Sequence, residues 1–169
     1  MNATKMRPLT IDVIVESTPW DASAEATVRR ALEEAASAIG ANLRNHALAV
    51  LLTDDAALRA LNAQWRGIDK PTNVLSFPAA KMRGDASPKS LGDIAIAYET
   101  AAHEAADEDK PFAHHLSHLA VHGFLHLMGY DHEKDSDAET MEQLERIILA
   151  RLGVPDPYSQ ETSRVAARA

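Results

Sequence analysis

The chain has 169 residues, 46% apolar and 25% charged, with no cysteine. That size and balance describe one globular domain with a core of useful extent, and the lack of cysteine excludes a disulfide framework or a thiolate metal site. The formal net charge of −8 argues against broad electrostatic binding to nucleic acid.

The charge is unevenly spread. Residues 64–90 carry five basic side chains (Arg66, Lys70, Lys81, Arg83, Lys89) against Asp69 and Asp85, net +3, while the remainder carries 12 against 23, net −11. A local basic surface on an acidic body is one reading; a solvated loop with scattered lysines is the other. The N-terminal stretch MNATKMRPLTIDVIVES has no long apolar run and reads as lacking a signal peptide. No apolar segment is long enough to span a membrane, so a cytoplasmic protein is expected.

Residues 10–16, TIDVIVE, alternate apolar and polar and predict a first strand, broken at Thr18-Pro19. A helix follows over 23–39, with Val28, Ala31, Leu32, Ala35 and Ile39 at helical spacing and Gly40 at its C-terminal cap. Residues 46–52 are nearly all apolar and predict a central strand buried on both faces. Thr53 and Asp54 suit the N-cap of a helix over 55–65. Asp69-Lys70-Pro71 is a turn, Asn73–Phe77 a short strand closed by Pro78, and 79–90 a loop. The strand over 91–99, with Ile94 and Ile96 on one face, makes a hairpin with its predecessor. A helix over 99–108 comes next, and a second starts near Pro111. The last helix starts near Asp135 or Ser136, where Ser136 and Glu139 have capping-box spacing. It runs through Met141, Leu144, Ile147, Ile148 and Leu152 to Gly153. Four strands and five helices in this order predict a single α+β domain over residues 1–158. It has a small mixed sheet and a central metal-bearing helix, and residues 159–169 form a mobile C-terminal tail.

The metal comes from HGFLHLMGYDH, residues 122–132. His122 and His126 share one helix face, about 5–6 Å apart at Cβ. Gly129 can close that helix in a left-handed conformation and return His132 to the same face. Three imidazoles with an open fourth position are the plan of a catalytic zinc site, whereas a structural site has four protein ligands. The spacing also matches HExxHxxGxxH of the metzincin peptidases, except that Gly123 replaces the general-base glutamate. His118, one turn before His122, is a candidate proton donor or substrate contact, or else a partly buried supporting histidine. His114 lies a further turn back. Asp131 and Asp135 are candidates for orienting a ligand imidazole, the alternative for Asp135 being a helix cap.

Taken together, LNAQWRGIDKPTNVLSFP (61–78), LGDIAIAYE (91–99) and HGFLHLMGYDH (122–132) resemble the YbeY family of bacterial single-strand-specific endoribonucleases and rRNA maturation factors. The resemblance covers roughly residues 45–158 and implies a mixed four-stranded sheet with helices. It implies a zinc-dependent hydrolase of RNA phosphodiesters whose setting is maturation of the small-subunit rRNA 3′ end. His122, His126 and His132 match the family's metal ligands, and Arg66 matches the arginine beside its metal cleft. Position 73 is Asn where some members carry Asp. The expected partners are single-stranded RNA, an rRNA precursor and the small ribosomal subunit or its proteins, with no membrane. The residue chemistry agrees. A phosphodiester gains negative charge in its pentavalent transition state, which a metal cation, its bound water and a bidentate arginine are suited to serve. Lys70 is a further substrate-binding candidate. The alternative for Arg66 is a surface salt bridge, for example to Asp69. The competing functions are a zinc metallopeptidase and a non-catalytic ribosome-assembly binding factor.

Overall fold

The computed structural model describes residues 8–79 and 89–159. Lys81, Arg83 and Asp85 of the expected basic segment lie outside the described residues, as does the expected tail from residue 160 onward.

Nine elements follow in order: β1 (Thr10–Val15), α1 (Ala22–Ile39), β2 (His46–Thr53), α2 (Asp55–Arg66), β3 (Val74–Pro78), β4 (Lys89–Ala97), α3 (Tyr98–Asp107), α4 (Phe112–Leu127) and α5 (Asp135–Arg151). The strands form one sheet in the order β1-β2-β4-β3. β1 and β4 flank β2 in parallel, with Val13 opposite Val50 and Leu52 opposite Ile96. β3 is the antiparallel edge, pairing Ser76 with Ile94. The expected hairpin and mixed sheet are therefore both present. α1 supplies the crossover that a parallel β1–β2 pair requires.

One face of the sheet carries the main core. Leu48, Val50, Leu52, Ile94 and Ile96 pack with Val28 and Leu32 of α1 and with Leu116, Val121 and Phe124 of α4. α4 is buried along most of its length, as expected of a central helix; α1, α3 and α5 surround it. The opposite face holds a smaller cluster in which Leu58 of α2 covers Leu75, Ala95 and Ala97.

That partial cover corrects the reading of β2 as buried on both faces. Leu48, Val50 and Leu52 are buried, but Ala47, Ala49 and Leu51 are only half-buried, because α2 reaches β3 and β4 rather than the middle of β2. Tyr98 and Glu99, read as the end of a strand, open α3 instead; the Tyr98 ring meets Trp20 and Phe112. Lys89 and Ser90, read as loop, begin β4. Thr53 ends β2, and Asp54 alone caps α2, accepting from the Ala57 N–H at 2.9 Å.

The expected capping box on α5 is absent. Helical geometry begins at Asp135, the residue in the cap position is Lys134, and no side chain caps the helix. Ser136 already sits inside the first turn, where its carbonyl accepts from Thr140 Oγ1 at 3.1 Å. Asp135 and Asp137 in that turn instead suit the positive end of the helix dipole. Among the described residues, no helix is long and apolar enough to cross a membrane.

A three-histidine cleft as the candidate metal centre

α4 ends at Leu127, and Gly129 follows with φ +94°, a region that a side chain would strain. The turn returns the chain over the last two turns of α4. The rings of His122 and His126 lie 4.6 Å apart between centroids, and that of His132 lies 5.7 Å and 5.0 Å from them. One nitrogen from each of the three lies within 4.8 Å of the others. The Nε2 atoms of His122 and His126 face each other at 3.1 Å. A shared proton or a shared cation is what such an approach calls for.

The carboxylate that orients this cluster comes from α5. Glu145 is fully buried. Its Oε1 accepts from His122 Nδ1 at 2.6 Å, and its Oε2 accepts from His118 Nε2 at 2.9 Å and from the Tyr158 hydroxyl. Burial alone would raise this carboxyl, but the hydrogen bonds from His118, His122 and Tyr158 outweigh it and hold it at about 2. An ionised carboxylate only accepts, so His122 carries a proton on Nδ1 and turns Nε2 to the cleft. Burial, with repulsion from His122 and His132, lowers His126 from the ordinary imidazole range, in the direction of the neutral form that a ligand needs.

These features fit a divalent cation. They offer three imidazoles, one of them held in orientation by a carboxylate behind it. They also include a buried carboxylate paired with His118 and His122.

Sequence reasoning looked to Asp131 and Asp135 for the orienting carboxylate. Asp131 Oδ1 instead accepts from the His132 backbone N–H at 2.7 Å and stands 4.0 Å from the ring nitrogen. Asp135 is the exposed first residue of α5. A signal for Glu145 was available. It stands between Met141 and Ile148 on the buried stripe of α5, and a charge on such a stripe asks for a partner. Of the stripe expected there, Met141, Leu144, Ile148 and Leu152 face the core, while Ile147 is exposed and Leu149 is buried in addition.

The histidines open onto a cleft of about 600 Å³, walled by Arg66 from the end of α2 and by Asn73, Ser76 and Pro78 of the edge strand region. The salt bridge considered for Arg66 is taken by another arginine. Arg59 Nε meets Asp69 Oδ1 at 2.7 Å and Nη2 meets Oδ2 at 3.2 Å, and this pairing lowers the Asp69 carboxyl. Lys70 is exposed and does not wall the cleft; its carbonyl accepts from Asn62 Nδ2 at 2.9 Å. His118, turned onto Glu145, lines a separate hollow of about 140 Å³ with Lys110 and Asp156.

Asn73 donates through Nδ2 to Glu104 at 3.0 Å, and Glu104 also bonds His115 Nε2 at 3.1 Å. Burial alone would raise the Glu104 carboxyl, but the bonds from His115 and Asn73 prevail and lower it. An aspartate at position 73 would set two carboxylates against each other, so Asn suits this chain.

Gly123 stands where a metallopeptidase carries its base, and here that position faces β3 and β4. A Cβ would lie 2.9 Å from Ile94 Cγ2, 3.2 Å from Ser76 Oγ and 3.3 Å from Val74 Cγ2. Ser76 Oγ donates to the Gly123 carbonyl at 2.9 Å, closing the contact. Gly123→Ala is expected to lower stability by about 1–3 kcal/mol through overpacking, outweighing a helix-propensity gain of up to about 1 kcal/mol. Thermal unfolding checks this, and an unchanged or raised Tm would refute it.

The family model described as Endoribonuclease YbeY matches residues 12–153. The chain is 61% identical over 163 residues to an Endoribonuclease YbeY of Rhodopseudomonas palustris, covering 94% of this chain and 97% of the relative. It is 59% identical over 156 residues to that of Nitrobacter hamburgensis (89% and 82%) and 57% over 158 residues to that of Bradyrhizobium diazoefficiens (90% and 86%). The solution structure of a Thermotoga maritima protein shares the fold, with a TM-score of 0.57 at 23% identity over 92% of this chain and 93% of that one.

Proposed function

The chain belongs to the YbeY endoribonuclease family, and from that premise we propose that it is a zinc-dependent, single-strand-specific endoribonuclease of the cytoplasm. Its proposed work is maturation of the small-subunit rRNA 3′ end and ribosome quality control. The observation that carries this reading is the convergence of three imidazole nitrogens at a cleft whose wall includes Arg66.

In this reading His122, His126 and His132 hold the metal. Three imidazoles without thiolate suit zinc, and equally another divalent transition metal such as nickel, copper or iron. A bound divalent cation supplies Lewis acidity toward a phosphodiester. Glu145 keeps His122 in the tautomer that leaves Nε2 bare. Arg66 grips two phosphate oxygens in a fork and stabilises the charge that grows on them. Lys70 adds a point charge further along the strand's path. His118 is assigned to holding Glu145 rather than to the substrate. The peptidase alternative needs a carboxylate at position 123, where the packing leaves no room.

The proposed partners are single-stranded RNA, an rRNA precursor and the small subunit or its proteins. On a chain of net charge −8, partner contacts would supplement the few local cations in holding RNA. One sheet organises the described elements, which supports treating residues 1–158 as one hydrolase domain.

The test is cleavage of a labelled small-subunit rRNA precursor by wild type and by His126→Ala, matched for folding, with bound metal quantified. The variant is expected to lose metal and to cut no faster than background. Equal cutting by both would remove the metal from the reaction and sink the reading.

A further inference from the structure

The stripe by which α2 packs on the sheet, Leu58, Leu61 and Asn62, continues one turn further to Trp65. By then the sheet has run out to its edge strand. Trp65 meets the Phe77 ring at 6.2 Å between centroids, with the planes tilted by 60°, and its side chain stays 65% exposed. Ile68, next to it in the turn after α2, is 48% exposed. The setting is not a random surface. Phe77 lies between Ser76 and Pro78, which wall the metal cleft, and by strand alternation turns to the other face of this edge strand; Trp65 immediately precedes Arg66, which walls the cleft. Arg66 brings a cation to this rim, while Asp69 is occupied by Arg59.

The geometry points to Trp65, backed by Phe77, as a stacking platform for an unpaired base of single-stranded RNA whose phosphate lies at Arg66. A nucleobase fits because every base offers a flat apolar face, while its chain supplies the negative charge that Arg66 complements. A duplex keeps its bases stacked on each other and cannot offer one, so the platform selects unpaired strands. This inference rests on the ribonuclease reading and names how the substrate class is told apart.

The chain has two tryptophans. Trp20 is buried, its Nε1 donating to the Thr53 carbonyl at 2.9 Å, so a fluorescence change on adding RNA reports Trp65. The probes are a short single-stranded RNA with cleavage-resistant linkages, the same strand in a duplex, and an abasic oligomer of equal length. The proteins are metal-loaded wild type, Trp65→Ala and Trp65→Phe. The single strand is expected to quench wild-type emission, while the duplex and the abasic oligomer leave it unchanged. Trp65→Ala is expected to weaken single-strand binding about five- to hundredfold with bound metal unchanged, and Trp65→Phe to retain most of the affinity. If Trp65→Ala binds RNA as tightly as wild type while wild type still cuts, the platform is refuted and the ribonuclease reading survives. If wild type neither binds nor cuts RNA, both fall. If Trp65→Ala instead converts a dimer to a monomer without altering RNA affinity, the exposed ring serves self-association and the inference is overturned.

Discussion

Glu145→Gln is expected to weaken binding of a divalent cation by about 10–100-fold or more, the usual cost of losing the partner behind a ligand histidine. The substitution keeps the side chain's shape and removes its charge. Three donors, from His118, His122 and Tyr158, converge on the native carboxylate. An amide cannot accept from all three, since one of its two ends is itself a donor. Where the amide nitrogen faces His122, the imidazole must move its proton from Nδ1 to Nε2, the atom that faces His126 at 3.1 Å. The nitrogen offered to the metal is then blocked. Competition against a coloured chelator measures the affinity, and wild-type retention of metal by a folded Glu145→Gln would show that the carboxylate does not govern the site. The same carboxylate makes metal-free stability depend on acid. Its folded value of about 2 lies below the ordinary 4.5, so its contribution is present above the ordinary value and is lost as the pH falls towards 2.

Arg66→Ala is expected to reduce the cleavage rate by about 10²–10³-fold, the range seen when one preorganised donor to developing charge is removed. Bound metal should be unchanged, because the guanidinium walls the cleft without belonging to the imidazole cluster. Arg66→Lys is expected to recover little, since an ammonium cannot reproduce a two-pronged grip on phosphate. Folding should be unaffected, because Arg66 is exposed at the last position of α2. Single-turnover cleavage by metal-loaded proteins separates the outcomes, and full activity in Arg66→Ala would remove the arginine from the proposed chemistry. Arg59→Ala is an informative companion. It frees Asp69, and a drop in rate there would show that the Arg59–Asp69 pair serves to keep Asp69 from Arg66.

Much of the site is written in local spacing. The four-residue interval between His122 and His126 and the left-handed turn at Gly129 act within three helical turns, so they could be read before any packing was known. The alternation in β1 and β4 and the caps at Asp54 and Gly40 are local in the same sense. Errors fell where a neighbour distant in sequence decides. The half-covered face of β2 depends on where α2 lands, and the carboxylate behind His122 depends on how α5 packs on α4. A capping-box spacing at Ser136 is no guide once the helix begins at Asp135.

The sequence by itself determined an α+β chain with three histidines able to converge, because helix period and turn chemistry are properties of short segments. Only the tertiary structure decided which carboxylate serves them. Glu145 is 23 residues from His122 and reaches it because α5 packs on α4. Only the tertiary structure showed that Arg59, not Arg66, holds Asp69, and that Gly123 is required by the close approach of α4 to Ile94 and Ser76. In each case the energy lies in burial and hydrogen bonding between elements whose meeting no local pattern records.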